Sequence, residues 1–189
     1  MVMPFHRVNV PTGTKIASIV EDGEQYAALI KKAKRPLLIV GPRCLVNILD
    51  GKPLIDWAIT IARAAGMPIC ATAHTKKALL EKGYNPESSY DFVEILNALK
   101  NPDWKGVKGE GNHDLVLLLG IRTDLASAGL STLKHYAPHL KTMTLCRYYF
   151  PNSDYSMPNF RKEDKWLEFL NAMIQNLNQK AEVQEKANV

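Results

Sequence analysis

The stretch RPLLIVGPRC, residues 35–44, decides how this sequence folds. Its apolar part, residues 37–40, shows no alternation of polar and apolar side chains, which is typical of a strand buried on both faces of a parallel sheet. A glycine, a proline and an arginine follow this run. The turn that they form either holds a phosphate group or only connects a strand to a helix.

Further apolar runs at residues 67–73, 115–120 and 142–146 predict three more strands. Segments with apolar residues at helical spacing alternate with these runs. They predict helices at residues 22–35, 53–66, 75–83, 88–100, 124–136 and 163–177. Buried strands that alternate with amphipathic helices are typical of an open α/β fold. We therefore predict a doubly wound, mostly parallel sheet with helices on both faces.

The chain has 189 residues, which suits one domain with short appendages. We predict an N-terminal arm at residues 1–21, a single domain at residues 22–177 and a polar C-terminal tail at residues 178–189 that frays. No apolar run approaches the ~20 residues that span a bilayer, and the N-terminus does not resemble a signal peptide. We expect a cytoplasmic protein without a membrane partner.

The three cysteines, Cys44, Cys70 and Cys146, are far apart in the sequence, and none belongs to a C-x-x-C pair. A structural zinc site or an iron–sulfur cluster usually takes about four closely spaced ligands. An odd number of cysteines also argues against a disulfide framework. We expect reduced, buried, structural cysteines and no metal site in this chain.

The formal net charge is +5, and the lysines and arginines are dispersed among acidic residues. There is no basic run with interleaved aromatic residues, so nucleic acid is not expected as a partner. An anionic small molecule, an acidic protein partner and an ordinary basic surface are all compatible with this charge.

Positive side chains follow three of the predicted strands. The strand exits read GPRC, ATAHTKK and GIRTD, and they carry Arg43, His74, Lys76, Lys77 and Arg122. Ligands of doubly wound folds bind where the carboxyl ends of the strands meet helix N-termini. Positive side chains therefore recur at the edge of the sheet where such folds bind anions.

The motifs of nucleotide binding and catalysis are incomplete. A dinucleotide site needs G-x-G-x-x-G directly after a strand, but Gly41 is followed by Pro42, which has no backbone N–H, and by Arg43. Segments of the form G-x-x-x-x-G-K-[ST] and G-x-S-x-G do not occur. His74, at a strand exit, is the best candidate for a functional histidine, and we assign no catalytic residue.

Three segments, residues 33–44, 64–97 and 113–127, resemble the epsilon subunits of the archaeal carbon monoxide dehydrogenase/acetyl-CoA decarbonylase–synthase complex in both order and spacing. The resemblance covers residues 15–175. More distantly, these segments resemble the middle domain of thiamine-diphosphate enzymes, whose fold is related to deoxyhypusine synthase. The resemblance implies a Rossmann-like, deoxyhypusine-synthase-like NAD/FAD-binding fold with a six-stranded sheet.

The resemblance also implies a function and a partner. It implies an accessory, non-catalytic subunit that docks on the nickel- and iron–sulfur-containing CO dehydrogenase alpha subunit in an alpha2–epsilon2 assembly. The complex of that family interconverts CO and CO2 and cleaves acetyl-CoA in methanogenesis from acetate, and its metal clusters lie in the alpha subunit. Binding of FAD or another nucleotide, with help in electron transfer, is the alternative that the fold suggests.

Eight positions of this sequence match those at which related thiamine enzymes hold the ADP part of FAD. They are Gly41, Pro42, Arg43, Ala73, His74, Gly120, Ile121 and Arg122. The Gly-Pro-Arg turn departs from the glycine-richer turn of the flavin binders. In this alternative, Arg43 and Arg122 neutralise the pyrophosphate and His74 contacts the adenosine or the ribose.

Two functional hypotheses follow, and a third is disfavoured. An interaction subunit needs a docking surface, for which the N-terminal arm and an aromatic stretch are the candidates. The stretch comprises Tyr148, Tyr149, Phe150, Tyr155, Met157 and Phe160. A nucleotide- or flavin-binding module needs a ligand at the strand exits. An independent small enzyme would need a general base there, and His74 is the one plausible group.

Overall fold

The structure is a computed structural model that describes residues 16–187, with side chains described as far as residue 179. The helices are α1 (Gly23–Lys32), α2 (Arg43–Val46), α3 (Leu54–Ala65), α4 (Thr75–Glu81), α5 (Phe92–Lys100), α6 (Thr123–Tyr136) and α7 (Glu163–Ala187). The strands are β1 (Ser18–Ile19), β2 (Pro36–Val40), β3 (Ile48–Leu49), β4 (Lys52–Pro53), β5 (Ile69–Ala71), β6 (Ser88–Ser89), β7 (Leu115–Leu119), β8 (Lys141–Thr144) and β9 (Tyr155–Ser156). None of the helices in this part of the chain combines the length and the apolar character that crossing a bilayer requires.

Seven strands form one parallel sheet in the order β1-β9-β8-β7-β2-β5-β6, and β3 pairs with β4 in a separate antiparallel hairpin. Strands β2 and β7 lie side by side at the centre, with Leu38 opposite Leu117. From this central pair the sheet grows in both directions, through β5 and β6 on one side and through β8 and β9 on the other. The predicted doubly wound α/β sheet is confirmed.

The central strands are buried on both faces, as their unbroken apolar runs predict. In β2, Leu38 and Val40 belong to the core that contains α1, α3 and α7 side chains, whereas Leu37 and Ile39 belong to the core under α5 and α6. All four side chains are fully buried. Because one strand contributes to two cores, every position of the run must be apolar.

A buried tyrosine fastens α1 to the sheet. Asp22 caps this helix by accepting a hydrogen bond from the Glu24 amide (3.0 Å), as the sequence predicts. The Tyr26 hydroxyl donates to the carbonyl oxygen of Thr144 (2.7 Å) and accepts from the Thr144 amide (3.3 Å). Burial raises the pKa of the Tyr26 phenol far above its usual range. The phenol therefore stays protonated and anchors α1 to the end of β8.

The structure differs from the sequence-based expectation in three short strands and one long helix. The sheet has seven strands instead of six, and β1, β6 and β9 have only two residues each, which is too few for a periodic pattern. Strand β1 lies within the predicted arm and pairs with β9. Helix α7 continues to Ala187, beyond its predicted end at residue 177. Residues 1–15 of the arm and 188–189 of the tail lie outside the described residues.

Candidate functional site at the carboxyl edge of the sheet

The predicted strand exits meet at one edge of the sheet. Val40, at the end of β2, is the register partner of Leu119 at the end of β7 and of Ala71 at the end of β5. The turns that follow therefore start side by side at the carboxyl edge, where ligands of this fold class bind. The two turns after β2 and β7 come into direct contact, through Gly41 and Gly120.

Gly41 and Gly120 form a close backbone contact that leaves no room for a side chain. The Gly41 amide donates to the Leu119 carbonyl oxygen (2.8 Å). A Cβ atom on Gly41 would lie 2.4 Å from the Gly120 carbonyl oxygen, and one on Gly120 would lie 2.3 Å from Cys44 Sγ. Gly120 also has a φ of +71°, a left-handed conformation that favours glycine. The packing of the two strand exits thus requires both glycines.

The backbone N–H groups of the turn at residues 41–44 are already hydrogen-bonded to carbonyl groups of the protein. The Arg43 amide donates to the Gly120 carbonyl oxygen (2.9 Å), the Cys44 amide donates to the Gly41 carbonyl oxygen (3.0 Å), and Pro42 has no N–H. A phosphate-binding turn instead directs free N–H groups of a following helix at the anion. Helix α2, which follows here, has only four residues. The backbone of this turn is therefore not arranged to bind a pyrophosphate group. The turn instead connects β2 to α2 and packs against the end of β7.

The second predicted arginine is paired within the protein. Arg122 Nε and Nη2 each lie 2.7 Å from a carboxylate oxygen of Asp124, in a bidentate ion pair. This pairing raises the pKa of Arg122 and is the largest cause of the lowered pKa of Asp124, to which the Leu125 amide also contributes. The carboxylate offsets the positive charge of Arg122, which leaves less of that charge for an anionic ligand.

Ala73 and His74 lie apart from the other predicted site residues, in a shallow depression beside α4. The same depression is lined by Lys76, Lys77 and Leu80. Ala73 has a φ of +50°, an unfavourable conformation for a residue that carries a side chain. Neither Ala73 nor His74 lines the cleft that contains Arg43. The eight positions predicted from the family resemblance therefore do not surround a single cavity.

The cleft that contains Arg43, of about 540 Å³, is more enclosed than this depression and opens between α2, the turn after β7 and the start of α7. Its volume is typical of a ligand pocket. Of the eight predicted positions, Arg43, Gly120 and Ile121 line it. Its apolar walls include Val46 and Ile48, which are exposed at the surface.

Arg147, which the sequence analysis missed, lines the cleft and holds the start of α7 in place. Its Nη1 donates to Glu163 Oε1 (2.9 Å), its Nη2 to the Arg161 carbonyl oxygen (2.9 Å) and its Nε to the Phe160 carbonyl oxygen (3.3 Å). The guanidinium carbon also lies 5.5 Å from the centre of the Tyr148 ring. These hydrogen bonds direct the guanidinium of Arg147 to partners within the protein. Arg147 follows the strand at residues 142–146, so the rule applied to the other strand exits would have found it.

Two hydrogen-bond donors that belong to residues of this cleft have no partner within residues 16–179. The indole N–H of Trp166, a side chain that is 4% exposed, has no hydrogen-bond acceptor. The guanidinium of Arg43 is exposed and forms no ion pair or hydrogen bond with the side chains in that range. A buried donor without an acceptor costs about 1–3 kcal/mol, so it calls for an explanation.

The three cysteines are protonated at neutral pH. Burial raises the pKa of both Cys70 and Cys146 to about 11, and it raises the pKa of Cys44 above the usual range. The thiolate is the form that attacks substrates and binds metals, so these thiols are not activated. Within residues 16–179, no three His, Cys, Asp or Glu side chains lie close enough together to hold a metal ion.

Exposed apolar side chains concentrate at the carboxyl edge. Eight large apolar side chains are exposed within the described range. Five of these lie in the turns or the first two helical turns that follow strands of the main sheet: Val46, Leu80, Val93, Leu125 and Tyr148. A sixth, Ile48, begins the β3–β4 hairpin and lines the same cleft as Val46 and Tyr148. The other two, Ile16 and Tyr136, precede strands and therefore lie at the amino edge.

The aromatic stretch predicted as a docking surface is mostly internal. Tyr149, Phe150 and Met157 are buried, and only Tyr148 is exposed; the remaining members, Tyr155 and Phe160, are half-buried. Tyr149 donates its hydroxyl hydrogen to the Ala17 carbonyl oxygen (2.8 Å), and Phe150 packs into the core under α5 and α6. The prediction is wrong for the buried residues, because they complete the domain's own core.

The chain is similar to proteins of archaea that carry one common name. It is 42% identical over 164 residues to the epsilon subunit of the acetyl-CoA decarbonylase/synthase complex of Methanothermobacter thermautotrophicus, covering 87% of this chain and 90% of the relative. The epsilon subunit of Methanothrix soehngenii is 36% identical over 159 residues, with 83% and 81% covered. That of Methanopyrus kandleri is 39% identical over 147 residues, with 77% and 83% covered.

A family model described as "CO dehydrogenase beta subunit/acetyl-CoA synthase epsilon subunit" matches residues 1–174. The match spans most of the chain, and the relatives are covered over most of their own length. The family that the sequence segments resemble is thereby confirmed. This chain belongs to the family of epsilon subunits of the acetyl-CoA decarbonylase/synthase complex.

Proposed function

We propose that this chain works as a non-catalytic docking subunit of an acetyl-CoA decarbonylase/synthase complex in the cytoplasm. Its partner is the CO dehydrogenase alpha subunit, in an alpha2–epsilon2 assembly. The nickel and iron–sulfur clusters that interconvert CO and CO2 belong to the partner, and the complex cleaves acetyl-CoA in methanogenesis from acetate. The observation that carries the proposal is the concentration of exposed apolar side chains at the carboxyl edge of the sheet.

An edge of this composition favours a protein partner. Val46, Ile48 and Tyr148 are 68%, 63% and 54% exposed, and all three line one cleft. Single exposed apolar residues are ordinary, but grouped ones are typical of interaction sites. Arg43 and Lys76 lie at the same edge without carboxylate partners within residues 16–179. An acidic rim on the partner would complement them and would speed association.

The state of the ionisable groups supports a non-catalytic role. The thiols have raised pKa values, and Arg122 is paired with Asp124. His113 is buried at the opposite edge of the sheet, just before β7 begins. A general base must reach the proton that it abstracts, and a nucleophile needs a base beside it. Among residues 16–179, no histidine lines the cleft, and the carboxylate that does, Glu163, is paired with Arg147.

The test is association of the full chain with the CO dehydrogenase alpha subunit. A chain that carries both Val46→Asp and Tyr148→Asp should copurify with the alpha subunit at least about tenfold less than the wild type, because a buried charge disfavours an apolar interface. Tyr136→Asp is the matched control, since Tyr136 is 70% exposed at the amino edge. Wild-type copurification of the edge variant would refute the proposed docking surface.

A second candidate function, binding of FAD or another nucleotide, is favoured by the volume of the cleft and by the unpaired Arg43. Because the turn at residues 41–44 offers no free backbone donors, the phosphates would have to bind side-chain cations. Calorimetry with FAD and with ADP tests this candidate. Heat that disappears when Arg43→Ala and Arg122→Ala are combined would support it, and a wild-type chain that gives no heat at millimolar ligand would rule it out.

A further inference from the structure

We infer that residues 41–53, which connect β2 to α3, form the anchor of the docking surface. Through this connection the chain presents Val46 and Ile48, which line one cleft with Arg43, to an apolar patch of the alpha subunit that carries a carboxylate at its rim. The inference rests on the proposed docking function and assigns most of the binding affinity to one segment. It is carried by the length of the connection, by its hairpin and by the side chains that it exposes.

The connection between β2 and α3 is longer than a link from a strand to a helix needs to be. It has thirteen residues and contains both α2 and the β3–β4 hairpin. Such links usually have about two to six residues. In the described part of the chain, the five other connections from a strand of the main sheet to the next helix have two to six residues: 20–22, 72–74, 90–91, 120–122 and 157–162. Surface connections commonly carry the binding functions of a fold, and additional ordered length here indicates such a function.

The hairpin within this connection is held in one conformation by its turn and by a buried hydrogen bond. Asp50 and Gly51 form the turn with φ values of +52° and +68°, and a type I′ turn requires two successive left-handed residues. Trp57, in α3, donates its indole N–H to the Leu49 carbonyl oxygen (3.2 Å), and the Leu49 side chain is buried. Because the hairpin is ordered in the free chain, binding a partner costs little conformational entropy there.

The connection exposes apolar side chains that contribute little to the core. Successive side chains of a strand point to opposite faces, so the burial of Leu49 directs Ile48 away from the core. Ile48 is 63% exposed, and Val46, at the end of α2, is 68% exposed. Folding gains little from an apolar residue at either position, whereas a partner that covers both removes their surface from water.

The charge of the cleft beside these residues indicates the chemistry of the partner. The charged side chains that line the cleft are Arg43, Arg147 and Glu163. Arg147 and Glu163 form an ion pair (2.9 Å), and Arg43 has no ion pair within residues 16–179. Two positive charges and one negative charge thus leave a net charge of +1 among these side chains. A carboxylate at the rim of an apolar patch complements this charge, whereas a basic rim would be repelled.

The experiment measures how well variant full-length chains compete with isotope-labelled wild type for a limiting amount of alpha subunit. Val46→Ser and Ile48→Ser should each lower incorporation about tenfold, because each removes apolar surface from the contact. Two controls make matching changes elsewhere: Val93→Ser, 58% exposed at the carboxyl edge outside the connection, and Ile16→Ser, 43% exposed at the amino edge. Both controls should stay within about twofold of wild type.

A second measurement tests the carboxylate. Arg43→Gln should lower incorporation about fivefold at about 0.05 M salt and by less than about twofold at about 0.5 M salt, because salt screens an exposed ion pair. Lys32→Gln makes the same change at an exposed position in the last turn of α1, and it should have no salt-dependent effect. Wild-type incorporation of Arg43→Gln at the low salt concentration, or a loss that does not change with salt, would refute the carboxylate.

The outcomes separate the anchor from the docking function. If Val46→Ser and Ile48→Ser are incorporated like wild type, or if Val93→Ser loses as much as they do, the connection is not the anchor. The docking function stands in either case if Val46→Asp with Tyr148→Asp still lowers incorporation, and both claims fail if it does not. The substituted side chains are exposed, and an unchanged urea midpoint checks that each variant keeps the fold.

Discussion

Gly120 lies so close to Cys44 that a Cβ atom on the glycine would come within 2.3 Å of the cysteine sulfur. The contact joins the exit of β7 to the first turn after β2, at the centre of the carboxyl edge. The Arg43 amide, which donates to the Gly120 carbonyl oxygen at 2.9 Å, fixes the same joint from the other side. Arg43 and Gly120, which both line the cleft, are thus held together by this contact.

Gly120→Ala should lower the free energy of unfolding by about 3 kcal/mol, because it adds a clash to a left-handed backbone conformation. Urea denaturation measures the effect. Gly51→Ala is the matched control: Gly51 has a similar φ of +68° but has no other atom within 4 Å of the added Cβ. The control should cost only about 1 kcal/mol. Equal losses of unfolding free energy in the two variants would mean that the turns after β2 and β7 can move apart to accommodate an added methyl group.

His113 should make stability depend on pH. Its Nδ1 lies 2.9 Å from the Arg35 carbonyl oxygen and must donate to it, so Nε2 accepts from the Val107 amide (3.2 Å) and the ring is neutral. Burial lowers the pKa of His113, with smaller contributions in the same direction from the charges of Arg35 and Lys108; the Arg35 carbonyl and Asp114 oppose the shift. The folded protein thus binds this proton more weakly than the unfolded chain does.

The stabilisation from His113 is fully present above the unfolded pKa of about 6.5 and is lost as the pH falls from there toward the folded pKa. The free energy of unfolding, measured by denaturation at pH 7.5 and at pH 5.5, should therefore be smaller at pH 5.5 because of this residue. The difference between the two pH values should shrink in His113→Gln. An unchanged difference in that variant would assign the pH dependence to other groups.

Tyr26→Phe should cost about 2 kcal/mol of stability. The Tyr26 hydroxyl satisfies both the carbonyl oxygen and the amide of Thr144 in the core, and phenylalanine leaves both without that partner. Thermal and urea unfolding give the loss. Tyr136→Phe removes a hydroxyl from an exposed side chain and should change stability by less than about 0.5 kcal/mol. A neutral Tyr26→Phe would mean that water takes the place of the hydroxyl.

Cys146 should react slowly with alkylating reagents although it lines the cleft. Burial raises its pKa from 9.0 to about 11, so its thiolate fraction at pH 8 is about a hundredfold lower than that of an ordinary cysteine. Mass spectrometry after iodoacetamide treatment gives the rate. The rate should rise about tenfold per pH unit up to the folded pKa and should reach the ordinary value in urea. Fast labelling of the native chain at pH 8 would contradict the assigned protonation state.

The central sheet and most helix boundaries could be predicted from the sequence, because each rests on a local physical constraint. The run at residues 37–40 has no polar residue since both of its faces are buried. Asp22 caps α1 with its side chain, and Gly66 ends α3 in a left-handed conformation with a φ of +61°. Helix capping and burial on both faces of a strand each restrict the residue types at a few adjacent positions. A single sequence therefore contains enough information to predict them.

The cleft could be predicted only in part, because its contacts join residues that are distant in sequence. The position of Arg43 after a strand predicts it as a site residue, whereas Gly120 follows only from the family resemblance. Trp166 reads as one apolar position of an amphipathic helix, and nothing nearby shows that its N–H has no acceptor. The pairing of Arg122 with Asp124 spans two residues, yet the pattern does not tell an ion pair from a helix start. Strands β1, β6 and β9 have only two residues each, and they are defined by their pairing with neighbouring strands and not by a pattern in the sequence.

The turn at residues 41–44 also limits how this protein can change. Replacing Pro42 by glycine would restore one N–H, but the amides of Arg43 and Cys44 would stay bound to carbonyl groups of the chain. Recovering an anion-binding loop would therefore require rebuilding the junction of two strands, and a single substitution would not suffice. As long as Gly41 and Gly120 are kept, the outward-facing side chains around them can be exchanged without disturbing the sheet, so that affinity for another polypeptide can be adjusted independently of folding.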